Sequence, residues 1–216
     1  MDEHKLAERF ADIWEQCATT APEPVWTFLR EHYQQPHRFY HTLDHIDHCL
    51  RELDVAGEQI AEYEATELAI WFHDIIYHYG AKDNEIRSAE VFRDFAGTDM
   101  PAELRDRVYD FIIATQHTGA AADAGTALMV DIDLSGFGLP WEGYLADSEA
   151  LRLEAPEVDD ATYYAGKLRF LDGLLEWPNL FQSDHFKERL ESIARANIKR
   201  YAGELRARGF NASDRK

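Results

Sequence analysis

The sequence predicts an all-α fold, a single-domain helical bundle, on three observations. Apolar residues recur at three- and four-residue intervals almost throughout, strand-like alternation is nearly absent, and proline, glycine and capping residues fall where helices would begin and end. There is no internal repeat and no low-complexity tract.

Leu6, Phe10, Ile13 and Trp14 share a helical face and predict a first helix ending near Thr19. Pro22 and Pro24 punctuate the chain before a second, Val25 to Tyr33. A third is expected from just after Pro36, with Leu43, Ile46, Leu50 and Leu53 as its seam and Gly57 as its stop. The fourth is read from about Glu62 to Tyr77, along Ala65, Leu68, Ala69, Phe72 and Ile76. Asp83 or Asn84 caps a fifth through Phe95, and Pro101 opens a sixth to Thr115. After a Gly119–Gly125 loop come a short apolar helix at Leu128–Leu134, a break at Gly136–Pro140, and two longer helices, Asp159–Trp177 and His185–Ala207. Roughly nine helices form one expected domain over 1–216, in which 1–35 are N-terminal helices, 36–140 the core and 141–216 C-terminal helices.

Composition narrows the function. A chain of 216 residues with 45% hydrophobic content can bury a sizeable core. The formal charge of −19, from 41 acidic against 22 basic residues, opposes binding to nucleic-acid polymers and anionic membranes. It does not oppose a small anionic substrate, because a bound cation and a few arginines can reverse the sign inside one cleft. No run approaches the length of a membrane span, and Met1 to Phe10 is too charged for a signal peptide. With only Cys17 and Cys49 as thiols, the expectation is a cytoplasmic protein with reduced cysteines.

The most informative residues are His73 and Asp74, which interrupt the apolar run Ala69 to Tyr77. Buried without partners they would be strongly destabilising, and a divalent cation satisfies both together. The plain alternative is a core histidine on a backbone carbonyl beside an aspartate paired with arginine. Upstream, His41 and His45 stand four apart and are read as projecting from one face of the third helix. His45 lies at the margin of the apolar arc beside Cys49, so it is the ligand candidate, and His41, further round with His48, is the supporting or catalytic group. Downstream, Asp131 and Asp133 point about 200° apart on a helix. Asp133 shares its face with Met129, Val130 and Phe137 and is taken as the ligand, Asp131 as a supporting or helix-terminal carboxylate. Two histidines and two aspartates without thiolate suit one divalent ion among Mn, Fe, Co, Ni, Mg or Zn in an open site, with room left for a second.

The order His45, then His73-Asp74, then Asp133 resembles the H, HD, D signature of the HD superfamily, and the chain is similar to a bacterial family of predicted HD phosphohydrolases. The similarity runs from about Pro36 to Asn197. It rests on Arg38-Phe-Tyr-His41, Phe72-His73-Asp74, Tyr77, Asn84-Glu85 with Ser88-Ala89, Thr115 with His117, Asp131-Ile-Asp133-Leu, and Ala194-Arg195 with Asn197. Tyr40-His41 to His45 also resembles a stretch of cyclic-nucleotide phosphodiesterases in which the first histidine donates a proton and the second binds metal. The chain departs from the family pattern at Ala155, where an aromatic is usual, and at Lys167, in place of arginine.

The resemblance implies an HD-type bundle and hydrolysis of a small phosphate ester or anhydride, a nucleotide among them, by metal-activated water. Asp74 serves catalysis as well as metal, and His41, with an ordinary pKa of about 6.5, serves as proton donor. His117, His78 and Glu85 are candidates for a second metal or a phosphate contact. Against this, His117 and Glu85 could simply complement helix dipoles and His78 could lie at the surface. Arg38, Arg87, Arg152 and Lys167 are candidate phosphate clamps, with surface pairs to Glu154 and Asp172 as the alternative for the last two. Two other readings stay open: a di-iron oxygenase of HD type, which needs His78 and His117 in the site, and a nucleotide-binding sensor with a degenerate site. An alarmone hydrolase is disfavoured, since Ile75-Ile76-Tyr77-His78 replaces the acidic pair expected there. Substrate and oligomeric state are not legible.

Overall fold

The computed structural model describes residues 1–57 and 61–213. Ten α-helices and no strand occur among the described residues, as the all-α expectation required. The chain packs as two compact units, Met1–Asp133 and Leu134–Lys216.

The first unit holds α1 (Glu3–Cys17), α2 (Pro22–Tyr33), α3 (Leu43–Ala56), α4 (Tyr63–Phe72), α5 (Asn84–Ala96) and α6 (Ala102–Ala114). It closes with α7 (Ala124–Leu134). Its axis is α4, buried on every face from Ala65 to Phe72 and packed on α1, α3, α5 and α6. A helix apolar all round belongs at the centre of a core. Aromatic rings fill the space around it: Phe10 meets Trp71 edge-on at 5.5 Å, and Phe72 meets Phe92 at 5.2 Å. The one buried charge of that helix, Glu67, takes 2.9 and 3.1 Å hydrogen bonds from Arg9. The helices at 1–35, set apart in the sequence reading, are thus part of the unit that carries the site, with α1 packed on both α2 and α4.

Two helix limits at the site differ from expectation; elsewhere α2 begins at Pro22 rather than Val25, and α7 at Ala124 rather than Leu128. The third helix starts at Leu43 rather than just after Pro36, because Thr42 caps it by accepting from the Asp44 amide while 36–41 turn outside it. The fourth ends at Phe72 rather than Tyr77, so His73 is its C-cap and Asp74 a turn residue. The stop of α3 at Gly57 agrees with the reading: φ there is 48°, a conformation glycine adopts without strain.

The second unit follows α7 with a 3₁₀ turn at Ser135–Gly138, then α8 (Trp141–Leu153), α9 (Asp160–Glu176) and α10 (Asp184–Ala207). No helix was expected at α8, since only Tyr144 and Ser148 of it are buried and one of these is polar. The unit's tightest junction is the 3₁₀ turn on α10. Asn197 donates to the carbonyls of Phe137 and Leu139 at 2.9 and 2.8 Å. A Cβ on Gly138 would stand 2.8 Å from the Leu190 Cβ. Gly138→Ala is therefore expected to lower stability by about 1–3 kcal/mol through overpacking, read as a lower denaturant midpoint. An unchanged midpoint would show that the turn yields freely.

No described helix is long and apolar enough to cross a membrane. Cys17 and Cys49 are free thiols, and Cys49 is buried against His45 with its Sγ 3.7 Å from Nε2.

Candidate metal centre

Four side chains from three segments of the first unit converge: His45 on the first turns of α3, His73 and Asp74 at the end of α4, and Asp133 on α7. The five donor pairs that include a histidine nitrogen are 3.0 to 3.5 Å apart, and all four donor atoms lie within 4.8 Å of one another. His45 Nε2 is 3.2 Å from His73 Nε2, 3.5 Å from Asp74 Oδ2 and 3.4 Å from Asp133 Oδ1. His73 Nε2 is 3.0 Å from Asp74 Oδ2 and 3.5 Å from Asp133 Oδ1. Atoms held about 2.1 Å from a common ion stand about 3.0 Å apart at right angles and about 3.4 Å apart at tetrahedral angles. The four donors therefore have the spacing of a coordination shell, and their nitrogen and oxygen chemistry suits a divalent cation.

The tautomer of His73 is set by its second nitrogen. Nδ1 lies 2.9 Å from the Ile70 carbonyl, which can only accept, so Nδ1 carries the hydrogen and Nε2 faces the other donors. Burial disfavours the His73 cation, yet Asp74 and Asp133 outweigh it and hold the imidazole well above its ordinary range. Burial likewise opposes the Asp133 carboxylate, but hydrogen bonds from His117, His45 and His73 keep it well below the usual carboxylate range. Asp74 is also held low, against burial, chiefly by His73 and His41. Near neutrality the carboxylates thus need no deprotonation, whereas His73 Nε2 must lose a proton before it can bind an ion. Because that pKa is raised, affinity should climb as pH rises, about tenfold per unit for each proton displaced. Competition titration against a chromogenic chelator across about pH 6 to 8 checks this, and a flat profile would contradict it.

The turn bearing His73 and Asp74 is held from outside. Tyr33 donates its hydroxyl to the Trp71 carbonyl at 3.0 Å. Arg38, buried, donates from Nη1 to the Asp74 carbonyl at 2.7 Å and to the His41 carbonyl at 3.2 Å, and from Nη2 to the Ile75 carbonyl at 2.8 Å. Ser88 Oγ accepts from the Ile76 amide at 3.1 Å, and Asn84 brackets His78 through both its amide and its carbonyl. Two of the last carbonyls of α4 are met by side chains, Ile70 by His73 Nδ1 and Trp71 by Tyr33, and Arg38 meets those of the turn that follows, so the chain leaves the helix at Phe72 without orphaned acceptors there.

The other candidates divide. His41 precedes α3, so helical spacing does not place it, yet its Nε2 lies 3.9 Å from Asp74 Oδ2. His117 donates from Nε2 to Asp133 Oδ2 at 2.8 Å, on the oxygen turned away from the cluster. It does so from a left-handed backbone conformation, φ 53°, at a position after α6 where glycine is usual. Its Nδ1 is buried with no hydrogen-bond partner among the described residues. Asp131 is fully buried on α7 and outside the four-residue group. His78 is exposed, with its ring parallel to that of His37 at 6.4 Å. Glu85 sits in the first turn of α5, and Arg87 is exposed on the same helix. Neither belongs to the group.

Two of the arginines expected to clamp phosphate are committed elsewhere. Arg38 serves backbone carbonyls, as above. Arg152 bonds Asp160 at 2.9 Å and the carbonyls of Ala155 and Val158 at 2.7 Å each, not Glu154. Lys167 is half-buried on α9, and burial alone lowers its ammonium to about 8. Asp172, read as its surface partner, instead pairs with Arg206 at 2.6 Å. Sequence reasoning missed the supporting roles of Tyr33, Ser88 and Asn84. The apolar setting of the His-Asp turn was the available signal, since buried turn carbonyls require donors.

No family model matches the chain, and no curated protein or solved structure matches it. Fold and site together define an all-α protein with a two-histidine, two-aspartate group that could hold a metal ion.

Proposed function

We propose that the protein is a metal-dependent hydrolase of a small phosphate ester or anhydride, of the HD type. The observation that carries this reading is the coordination-shell spacing of His45, His73, Asp74 and Asp133, in the H, HD, D order, with His41 Nε2 3.9 Å from the Asp74 carboxylate. A divalent ion bound there would supply Lewis acidity and lower the pKa of water it holds. His45 Nε2 and, once it has lost its proton, His73 Nε2 offer nitrogen donors, and Asp74 and Asp133 offset the ion's charge. Asp74 also faces His41, with Oδ2 3.9 Å from its Nε2. His41 is the proton donor to the departing oxygen, a step its position beside the group allows and its chemistry suits.

The test begins with metal analysis of protein purified without chelator, followed by a phosphate-release screen with the metal found. His41→Ala is expected to keep its metal while turnover falls about 10²- to 10⁴-fold. Unchanged turnover would remove His41 from the reaction. A second reading, a two-metal oxygenase, draws on one observation: His117 reaches the outer oxygen of Asp133 with its other nitrogen unpaired. Two irons per chain with an oxygen-dependent product would favour it over hydrolysis.

A further inference from the structure

His117 stands where the backbone disfavours a side chain. As α6 runs out, the amides of Thr115, Gln116 and His117 each donate to a carbonyl three residues back. The chain then leaves through His117, the only residue other than glycine with a positive φ among those described, 53°. A side chain in this left-handed region carries a cost that glycine avoids. The imidazole also buries Nδ1 with no hydrogen-bond partner among the described residues. Against these two costs stands one hydrogen bond of the ring, 2.8 Å from Nε2 to Asp133 Oδ2. That bond divides the carboxylate. Oδ1 faces His45 and His73 at 3.4 and 3.5 Å, while Oδ2 is turned to His117.

We infer that His117 is a positioning residue: from its left-handed turn it holds Asp133 by Oδ2, so that Oδ1 alone is presented to His45, His73 and the metal they share. The inference rests on the reading of His45, His73, Asp74 and Asp133 as a metal centre. It adds that the aim of one ligand is set from outside the group. A carboxylate held at one oxygen cannot turn about its Cβ–Cγ bond to offer an ion both. A coordination position is thereby kept for water, which a hydrolytic centre needs. Hydrogen-bond partners outside the ligand set orient ligands in this way, and their loss typically weakens metal binding about 10- to 100-fold. Disfavoured backbone is characteristically kept where it places a functional group, and the one group that the His117 ring bonds is a ligand.

The experiment uses the full chain as parent, His117→Gly, His117→Ala and His117→Gln, with Zn and Co as probes. Zn affinity is read by competition with a chromogenic chelator, Co coordination by visible absorption, and stability of the metal-free proteins by chemical denaturation. His117→Gly and His117→Ala both remove the imidazole but differ in how well they suit the left-handed backbone. Both should bind Zn about 10- to 100-fold more weakly than the parent and within about threefold of each other, although His117→Gly should have the higher denaturant midpoint. Their Co absorption should depart from the parent's in the same way. His117→Gln, which keeps a side-chain N–H donor, should recover affinity to within about fivefold and restore the parent's absorption. Parent-like affinity and absorption in His117→Gly overturn the inference. So does an affinity that merely follows the midpoint, lower in His117→Ala than in His117→Gly, because that is what a structural role predicts. If His117→Ala fails to fold, His117→Gly against His117→Gln still decides. Two ions per chain in the parent and one in His117→Gly would make His117 a ligand and overturn it as well. A parent that binds neither Zn nor Co overturns the metal centre and the inference with it, a result distinct from a binding parent with unaffected variants.

Discussion

Asp74→Ala is expected to abolish metal binding at the candidate centre. Asp74 Oδ2 lies 3.0 Å from His73 Nε2 and 3.5 Å from His45 Nε2, so its removal takes away one of four donors and half of the offsetting negative charge. Loss of an outer partner of a metal ligand typically weakens binding about 10- to 100-fold, and loss of a ligand should exceed about 100-fold. Parent protein prepared without chelator should carry about one ion per chain, and Asp74→Ala close to none. The fold should survive, because Arg38 holds the Asp74 carbonyl and not its side chain. A folded Asp74→Ala protein that retains metal at the parent's stoichiometry would sink the assignment of this group as the metal centre.

The second large effect is expected at Arg38. Arg38→Met keeps most of the aliphatic stem and removes the guanidinium, leaving the carbonyls of His41, Asp74 and Ile75 without that donor. A buried acceptor left unpaired costs about 1–3 kcal/mol, so the loss in stability should be about 3–5 kcal/mol. Because two of those carbonyls belong to the turn bearing Asp74, metal affinity should fall with stability. Arg38→Lys should recover little: one ammonium cannot reproduce a fork that spans the three. Chemical denaturation with and without metal measures both effects. A change under about 0.5 kcal/mol would mean that water replaces the guanidinium and that Arg38 does not organise the turn.

The same arginine shows where sequence reading stops. By residue type Arg38 and Arg152 are candidate phosphate clamps, but Arg38 is turned to the carbonyls of Asp74 and Ile75 and Arg152 to those of Ala155 and Val158. A residue type declares its donors and leaves their acceptors open. His41 illustrates a different limit. It was grouped with His45 through a helical face, yet α3 begins two residues after it and what brings it to Asp74 is a bend braced by Arg38. Likewise α8 left no trace, since burying Tyr144 and Ser148 writes no apolar stripe.

By itself the sequence determined the all-α class, most helix positions, and the four residues that gather at the centre. The physical reason is that charge inside an apolar run must find a partner, and His73, Asp74 and Asp133 each carry that demand in their immediate neighbours. Only the tertiary structure decided where α4 ends, that His117 meets Asp133 from a left-handed turn, and that the rings of Tyr77 and His41 stack, with centroids 3.8 Å apart. Those features depend on which distant carbonyl, carboxylate or ring comes within about 3 to 4 Å, and periodicity along one chain carries no record of such meetings.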